Sequence, residues 1–469
     1  MLRFVVLITI IGLAVSANAY AQGRASAKPV SLKTESEESV FTYQYAATGA
    51  GPTWCFGSAA MVRVGDRLFA SGQVPVPGVT GINCVRPTLY EKTDKGWQLI
   101  YTDPGNTREP SPIVVLSKDK LLMSNNPNDA GPTDYDGAAH PEILAFDPKN
   151  PTTPPQKLTP VWDTEIGFHG HSYRCFASDS KNKEFFLSWN IAYDRTYWTF
   201  YDRKGKWAKQ GELMFPMGTE YPTPEPLRLC YSPVLLKDRA VHFFGTVDIE
   251  EPIQEWRDAK FELSKSKWDY VFRRLFYCYT PDVIKKPFSK WIELTNLDKT
   301  AGNAYAMDIH RASNGDIYLL WQETSTDYRL REKFFPGVKM TNALKCAVLR
   351  KGTIISTIDI SKGGEGIISD ESPTWGRFHI TPKGRLFAVY TASVITPDGK
   401  SSTRNRIKEI FSNLTVSKPI DLDLKHIFGS TYFTTSPRSG STPSDYIELF
   451  GNCLDTGNEL RYAKIHLQE

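Results

Sequence analysis

Two histidines separated by one glycine stand in the run Gly167-Phe168-His169-Gly170-His171-Ser172-Tyr173-Arg174, out of only eight histidines in the chain. Imidazole changes protonation near neutral pH, and flanking glycines let a ligand approach closely. A third histidine, His140, closes the polar stretch NNPNDAGPTDYDGAAH, and Tyr231 and Arg257 follow further along. His and Tyr serve as proton acceptor or donor in general acid–base chemistry. Arg suits a carboxylate because its planar fork engages both oxygens. These residue types together suit β-elimination on an acidic sugar: the carboxylate is neutralised, a base removes the proton beside it, and an acid protonates the departing oxygen. The expected catalytic group is therefore His140, His171, Tyr231 and Arg257. Expected substrate contacts are His169, Tyr193, Arg195, Arg228, Glu323 and Arg377, with Trp256 and Trp375 as platforms on which sugar rings stack.

The same residues support other chemistry. His140, His169 and His171 are zinc-ligand types, although two histidines alone do not close a site. The sequence requires no cofactor, and whether an ion such as calcium or zinc is held stays open. A glycoside hydrolase would instead want two carboxylates across a pocket. Asp194, Glu251, Glu323 and Asp327 are the candidates for it. A non-catalytic glycan-binding module is the third possibility, since a fold does not fix a function.

What must position these residues is a motif that returns seven times, a tight polar turn followed at once by an apolar run. It reads Gly65-Asp66-Arg67 before LFASG, Lys118-Asp119-Lys120 before LLMSN, and Lys181-Asn182-Lys183 before EFFLSW. Lys237-Asp238-Arg239, Asn314-Gly315-Asp316, Lys383-Gly384-Arg385 and Pro443-Ser444-Asp445 complete the set. Steps of 53, 63, 56, 77, 69 and 61 residues separate them, enough for one small antiparallel sheet and its loops. Repeats at this spacing indicate an array such as a propeller. The first unit reads as strands over 58–64, 67–73, 86–92 and 96–102, joined by turns with hairpin chemistry. The last unit has three strands before the chain ends, and FTYQYAA (41–47) can supply the fourth. The expected fold is all-β: a seven-bladed β-propeller of four-stranded antiparallel blades, its ring closed by the N-terminal strand so that no edge stays open. Loops between blades, and those joining second and third strands, then emerge on one face. All the candidates above fall there. No amphipathic helical stretch separates the strands, and the longest plausible helix lies near 252–261.

Arg3, the apolar run 4–15 and Ser16-Ala17-Asn18-Ala19 have the form of a signal peptide over 1–21, which predicts a secreted or periplasmic protein. Residues 22–40 read as a flexible lead and 41–469 as the propeller. Lys plus Arg exceed Asp plus Glu by only 4, with no dense basic tract, so nucleic acid is not an expected partner. No segment after the leader is apolar for long enough to span a bilayer. The expected partner is a polysaccharide or oligosaccharide substrate, acted on by a monomer. Seven cysteines form no CxxC pair, and Cys55 with Cys84 is the best local disulfide candidate.

On these repeats the chain resembles the sialidase-like, BNR-repeat superfamily of exported propellers, from about Phe41 to the end. Ser313-Asn314-Gly315-Asp316 with Trp321 is similar to a degenerate Asp-box. Within the superfamily it looks most like the seven-bladed polysaccharide lyases, such as ulvan lyases and rhamnose–glucuronate lyases. That resemblance implies a histidine pair from neighbouring blades followed by a tyrosine and an arginine, an order met here by His140, His169 or His171, Tyr231 and Arg257.

Overall fold

The computed structural model describes residues 29–46, 48–49, 51–162, 165–171, 173–191, 193–396 and 398–468. The expected signal peptide, residues 1–21, lies outside them. Seven antiparallel sheets of four strand positions each follow one another around a ring. The first blade is built from Met61–Val64, Arg67–Pro75, Val85–Thr93 and Gly96–Thr102, close to the spans read from the sequence. Every repeated turn joins the first strand of its blade to the second, as between Ile113–Ser117 and Lys120–Asn125 or Glu371–Ile380 and Leu386–Ile395. Positive φ at Gly65, Gly315 and Gly384 explains glycine in three of these turns, because an L side chain strains that backbone conformation.

Second strands are packed on both faces by the adjoining blades, so they read as continuous apolar runs: all seven residues of Glu184–Asn190 are buried. Outer strands meet solvent on one side and alternate, as Thr353–Gly364 does. Among the described residues no helix is long and apolar enough to cross a membrane. Helix Gln254–Ser264 falls near the expected position, and a second helix, Tyr328–Phe334, packs against it.

Ring closure differs from the expectation in one respect. The closing strand is Ser31–Thr42, paired antiparallel with Glu459–Gln468 from Ser31 opposite Gln468 to Thr42 opposite Glu459. Residues 31–40, read as flexible lead for want of apolar content, are thus part of the last blade. As an outermost strand it needs only one buried side, and Val40 supplies much of that. All seven cysteines are free, which corrects the Cys55–Cys84 pairing. Cys55 is half-buried, and desolvation pushes its thiol well above the ordinary range.

The middle of the ring is occupied by the chain itself. The segment leading into the first blade runs through it, with Phe56 stacked on Tyr231 at 4.7 Å and edge-on to Trp375 at 5.0 Å. A Cβ on Gly57 would lie 2.2 Å from the Tyr231 carbonyl carbon, so only glycine fits there. Arg377 donates from Nε to the Tyr432 carbonyl (2.9 Å), from Nη2 to that of Phe56 (2.7 Å), and from Nη1 to that of Met307. Arg438 donates to Asp308 (2.8 Å) and to the Gly57 carbonyl (2.8 Å). The segment's carbonyls thus find buried donors in place of water.

His242 and His379 are buried and His310 is half-buried: desolvation lowers His242 to about 3, and His310, against a small opposing pull from Asp308, and His379 to about 4. Below the ordinary histidine value the unfolded chain takes up protons that the folded chain refuses, so stability falls as pH drops. With three such groups the loss approaches about 4 kcal/mol per pH unit near pH 5. Urea midpoints at pH 7 and pH 5 should show a marked fall; equal midpoints would contradict it.

Candidate functional site

A pocket of about 270 Å³ is lined by loops of the first four blades. Its lining includes Tyr135, Asp136, His169, His171, Tyr173, Asn190, Tyr193 and Arg228. Four expected residues, His169, His171, Tyr193 and Arg228, therefore share one cavity. They come from the loop entering blade three, the loop after its second strand, and the segment entering blade four, which sequence reasoning assigned to a common face.

The two histidines differ in what holds them. His169 Nδ1 accepts from the His171 backbone N–H (3.1 Å) and lies 3.2 Å from Asp136 Oδ2, while its Nε2 lies 3.3 Å from the Ile191 carbonyl. Asp136 also accepts at Oδ1 from Asn83 (2.8 Å), Gly137 N (2.8 Å) and Gly170 N (3.0 Å). Burial alone would raise the Asp136 carboxyl, but these hydrogen bonds outweigh it and hold it below its ordinary range. Asp136 and His169 thus fix the His-Gly-His loop. His171 is freer: Nδ1 is in contact with Arg108 Nη1 and 3.5 Å from Glu109 Oε1, while no described residue engages Nε2. Because a guanidinium N–H only donates, this contact makes Nδ1 an acceptor and puts the neutral ring's proton on Nε2.

Tyr173 opens the first strand of blade three, its ring 5.4 Å from that of His171. Burial, reinforced by Tyr231, Cys230 and Asp248, pushes its phenol far above the ordinary range, so it stays an O–H donor at neutral pH. Arg228 stacks against Tyr193 (4.5 Å), Tyr270 (5.3 Å) and Tyr173 (5.6 Å). Its Nε donates to the Asp248 carbonyl and its Nη2 to the Asp248 carboxylate, both at 3.0 Å. Among the described residues Nη1 has no partner, so a charged donor in a fixed orientation remains for a ligand.

The other expected residues lie elsewhere. His140 is largely exposed and pairs with Asp129 at 2.6 Å, so the three histidines do not converge as a metal site would need. Among the described residues no three His, Cys, Asp or Glu converge in that way. Tyr231 lies beneath the pocket in a left-handed conformation (φ 51°), accepting from Trp54 Nε1 (3.0 Å) and donating to Tyr173 Oη (3.4 Å). Burial pushes its phenol up strongly, and its role there is to support Tyr173. Arg257 pairs with Glu250 on the helical insertion, where Trp256 packs edge-on to Phe335 at 5.2 Å. Trp375 and Arg377 are buried at the axis and present nothing to a sugar. Arg195 is held at the surface by Asp194 (2.7 Å) and Glu212 (2.8 Å). Glu323 accepts from Trp321 Nε1 at 2.7 Å.

None of the four carboxylates proposed for hydrolysis lines the pocket. Asp194 is tied to Arg195, Glu251 is buried with Arg273 and Lys260, and Asp327 caps helix Tyr328–Phe334. The residues missed were Asp136, Tyr173, Arg108 and Glu109. Asp136 and Tyr173 stood inside stretches singled out for their histidines, and Arg108-Glu109 enters blade two on the same face.

No family model matches the sequence, and no curated protein does. Among solved structures, a Dyadobacter fermentans protein of unknown function is similar at 10% identity and TM-score 0.44, over 93% of this chain and 99% of that one. A Penicillium chrysogenum α-L-arabinanase complexed with arabinobiose is similar at 11% identity and TM-score 0.45, over 92% and 98%. A Trypanosoma rangeli sialidase aligns at 11% identity and TM-score 0.38, over 76% and 55%. Likeness of this degree bears on no residue of the pocket.

Proposed function

We propose that the chain is an exported carbohydrate-active enzyme, a lyase that cleaves uronate-containing polysaccharide by β-elimination in the pocket of His171, Tyr173 and Arg228. The observation that carries this reading is an arginine N–H and a neutral acid that share one pocket. Arg228 Nη1 is available to a carboxylate, Tyr173 is held protonated by burial, and the lining carboxylate Asp136 is saturated by donors.

The substrate carboxylate takes Arg228 and draws Arg108 away from His171. Freed of Arg108, the imidazole gives its Nε2 proton to solvent and takes one at Nδ1, which it donates toward Glu109 Oε1, 3.5 Å away, so that an Nε2 lone pair faces the substrate. Nε2 removes the proton beside the carboxylate, the bond to the β-oxygen breaks as the ring double bond forms, and Tyr173 gives that oxygen its proton. His171 ends protonated and Tyr173 as phenolate, so a proton must pass from one to the other before the next turnover. Arg228 and Arg108 stabilise the charge that builds on the carboxylate in the transition state. The test is incubation with a panel of uronate polysaccharides, following ultraviolet absorbance of unsaturated uronate and new reducing ends together. Both signals are expected; reducing ends without absorbance would replace the lyase by a hydrolase, and neither would leave a glycan-binding propeller.

A further inference from the structure

A second, larger pocket of about 340 Å³ lies where the last blade meets the chain entering the first. It is bordered by Tyr43, Tyr45, Thr53, Trp54, Thr431 and Asn452, with glycines at 51, 429 and 457. None of its described lining residues carries a charge, whereas the first pocket holds Asp136, two histidines and Arg228. We propose that this pocket binds an uncharged sugar unit, so that the face accepts a polysaccharide in which uncharged units accompany the acidic one. The second clause rests on the reading under Proposed function; the first stands without it.

The lining has what a neutral sugar requires, an aromatic surface for the apolar ring face and polar groups at its edge. Tyr45 is exposed at the rim, 57% accessible, and its ring stands edge-on to Tyr43 at 5.3 Å. Asn452 accepts from Thr53 Oγ1 (3.4 Å) and donates to Tyr43 Oη (3.3 Å), so its amide is oriented before any ligand arrives. Thr53 and Thr431 hydroxyls are 3.2 Å apart. Thr431 keeps a left-handed backbone (φ 60°), a strained conformation for a β-branched residue, beside Gly429.

The two pockets are joined through Trp54. It lines the uncharged pocket, while its indole carries the Arg108 guanidinium at 4.8 Å, stands edge-on to Tyr173 at 5.6 Å and donates to Tyr231. A chain seated in both would pass over this residue.

The test is saturation-transfer NMR with the methyl glycosides of rhamnose, xylose, galactose and glucose, on the wild type and on Tyr45→Ala, Tyr45→Phe and His171→Ala. At least one glycoside should give transfer that Tyr45→Ala reduces fivefold or more, while Tyr45→Phe, which keeps the ring, and His171→Ala leave it within twofold. Loss in His171→Ala with retention in Tyr45→Ala would put the neutral sugar in the pocket of His171 and Arg228 and overturn the proposal. Absence of transfer from all four glycosides would overturn it equally. Neither outcome depends on elimination, which the absorbance assay decides separately.

Discussion

Replacing His171 by alanine is expected to lower turnover on a uronate polysaccharide at least about 100-fold, the ordinary contribution of a positioned acid or base. Its side chain is 28% exposed and lies between Arg108 and Glu109 with Nε2 open to the pocket, so its removal takes away the proton acceptor. No core cluster depends on this ring, and the unfolding midpoint should stay near that of the wild type. His140→Ala is the matching control: a side chain 63% exposed and paired only with Asp129 should be replaceable with activity kept within twofold. A His140 variant as inactive as the His171 variant would place the site elsewhere on the face.

The largest expected stability effect is at Arg377. Fully buried, it donates to carbonyls of Phe56, Met307 and Tyr432, which come from the central segment, blade five and the approach to blade seven. Its guanidinium also lies between the rings of Trp375 and Phe433, 5.2 Å from each. Burial lowers its pKa to about 10, still high enough to keep it charged at neutral pH. Arg377→Ala takes the N–H donors from the buried Phe56 and Met307 carbonyls, leaves Tyr432 with Trp375 Nε1 alone, and opens a cavity, at a cost of at least about 3 kcal/mol. Arg377→Lys should recover only part, because an ammonium lacks the flat fork that reaches three acceptors at once. Chemical unfolding of the three proteins measures this, and an alanine variant within 1 kcal/mol of wild type, on the order of a surface change, would contradict it.

The fold was legible because a propeller repeats its local chemistry. Each polar turn before an apolar run marks the inner hairpin of a blade, and seven of them count the ring. The closing strand was harder: Ser31–Ser39 is rich in Ser, Glu and Lys because an outermost strand buries little, and such a strand resembles a linker in composition. The site was legible in part. Loop assignment brought His169, His171, Tyr193 and Arg228 to one face, but a face holds more residues than a pocket does. Trp375 and Arg377 share that assignment, yet their side chains turn inward, because the segment at Phe56 fills the axis and needs aromatic and donor partners there. Tyr231 sits under the pocket for a related reason. Its left-handed backbone precedes Ser232-Pro233, and the strand is broken there into Leu229–Cys230 and Val234–Lys237. Proline cannot donate to a ladder, so the break has a cause in the sequence, but the Tyr231 ring packs on Phe56 and its backbone against Gly57, both in a distant segment.

The most direct test of the account is the mass of the products. A purified uronate oligosaccharide of defined length, cut once by the protein, should yield two fragments whose masses sum to that of the substrate, one of them carrying the unsaturated uronate, with His171→Ala giving neither. Fragments summing to the substrate plus one water would show hydrolysis and contradict elimination at this pocket.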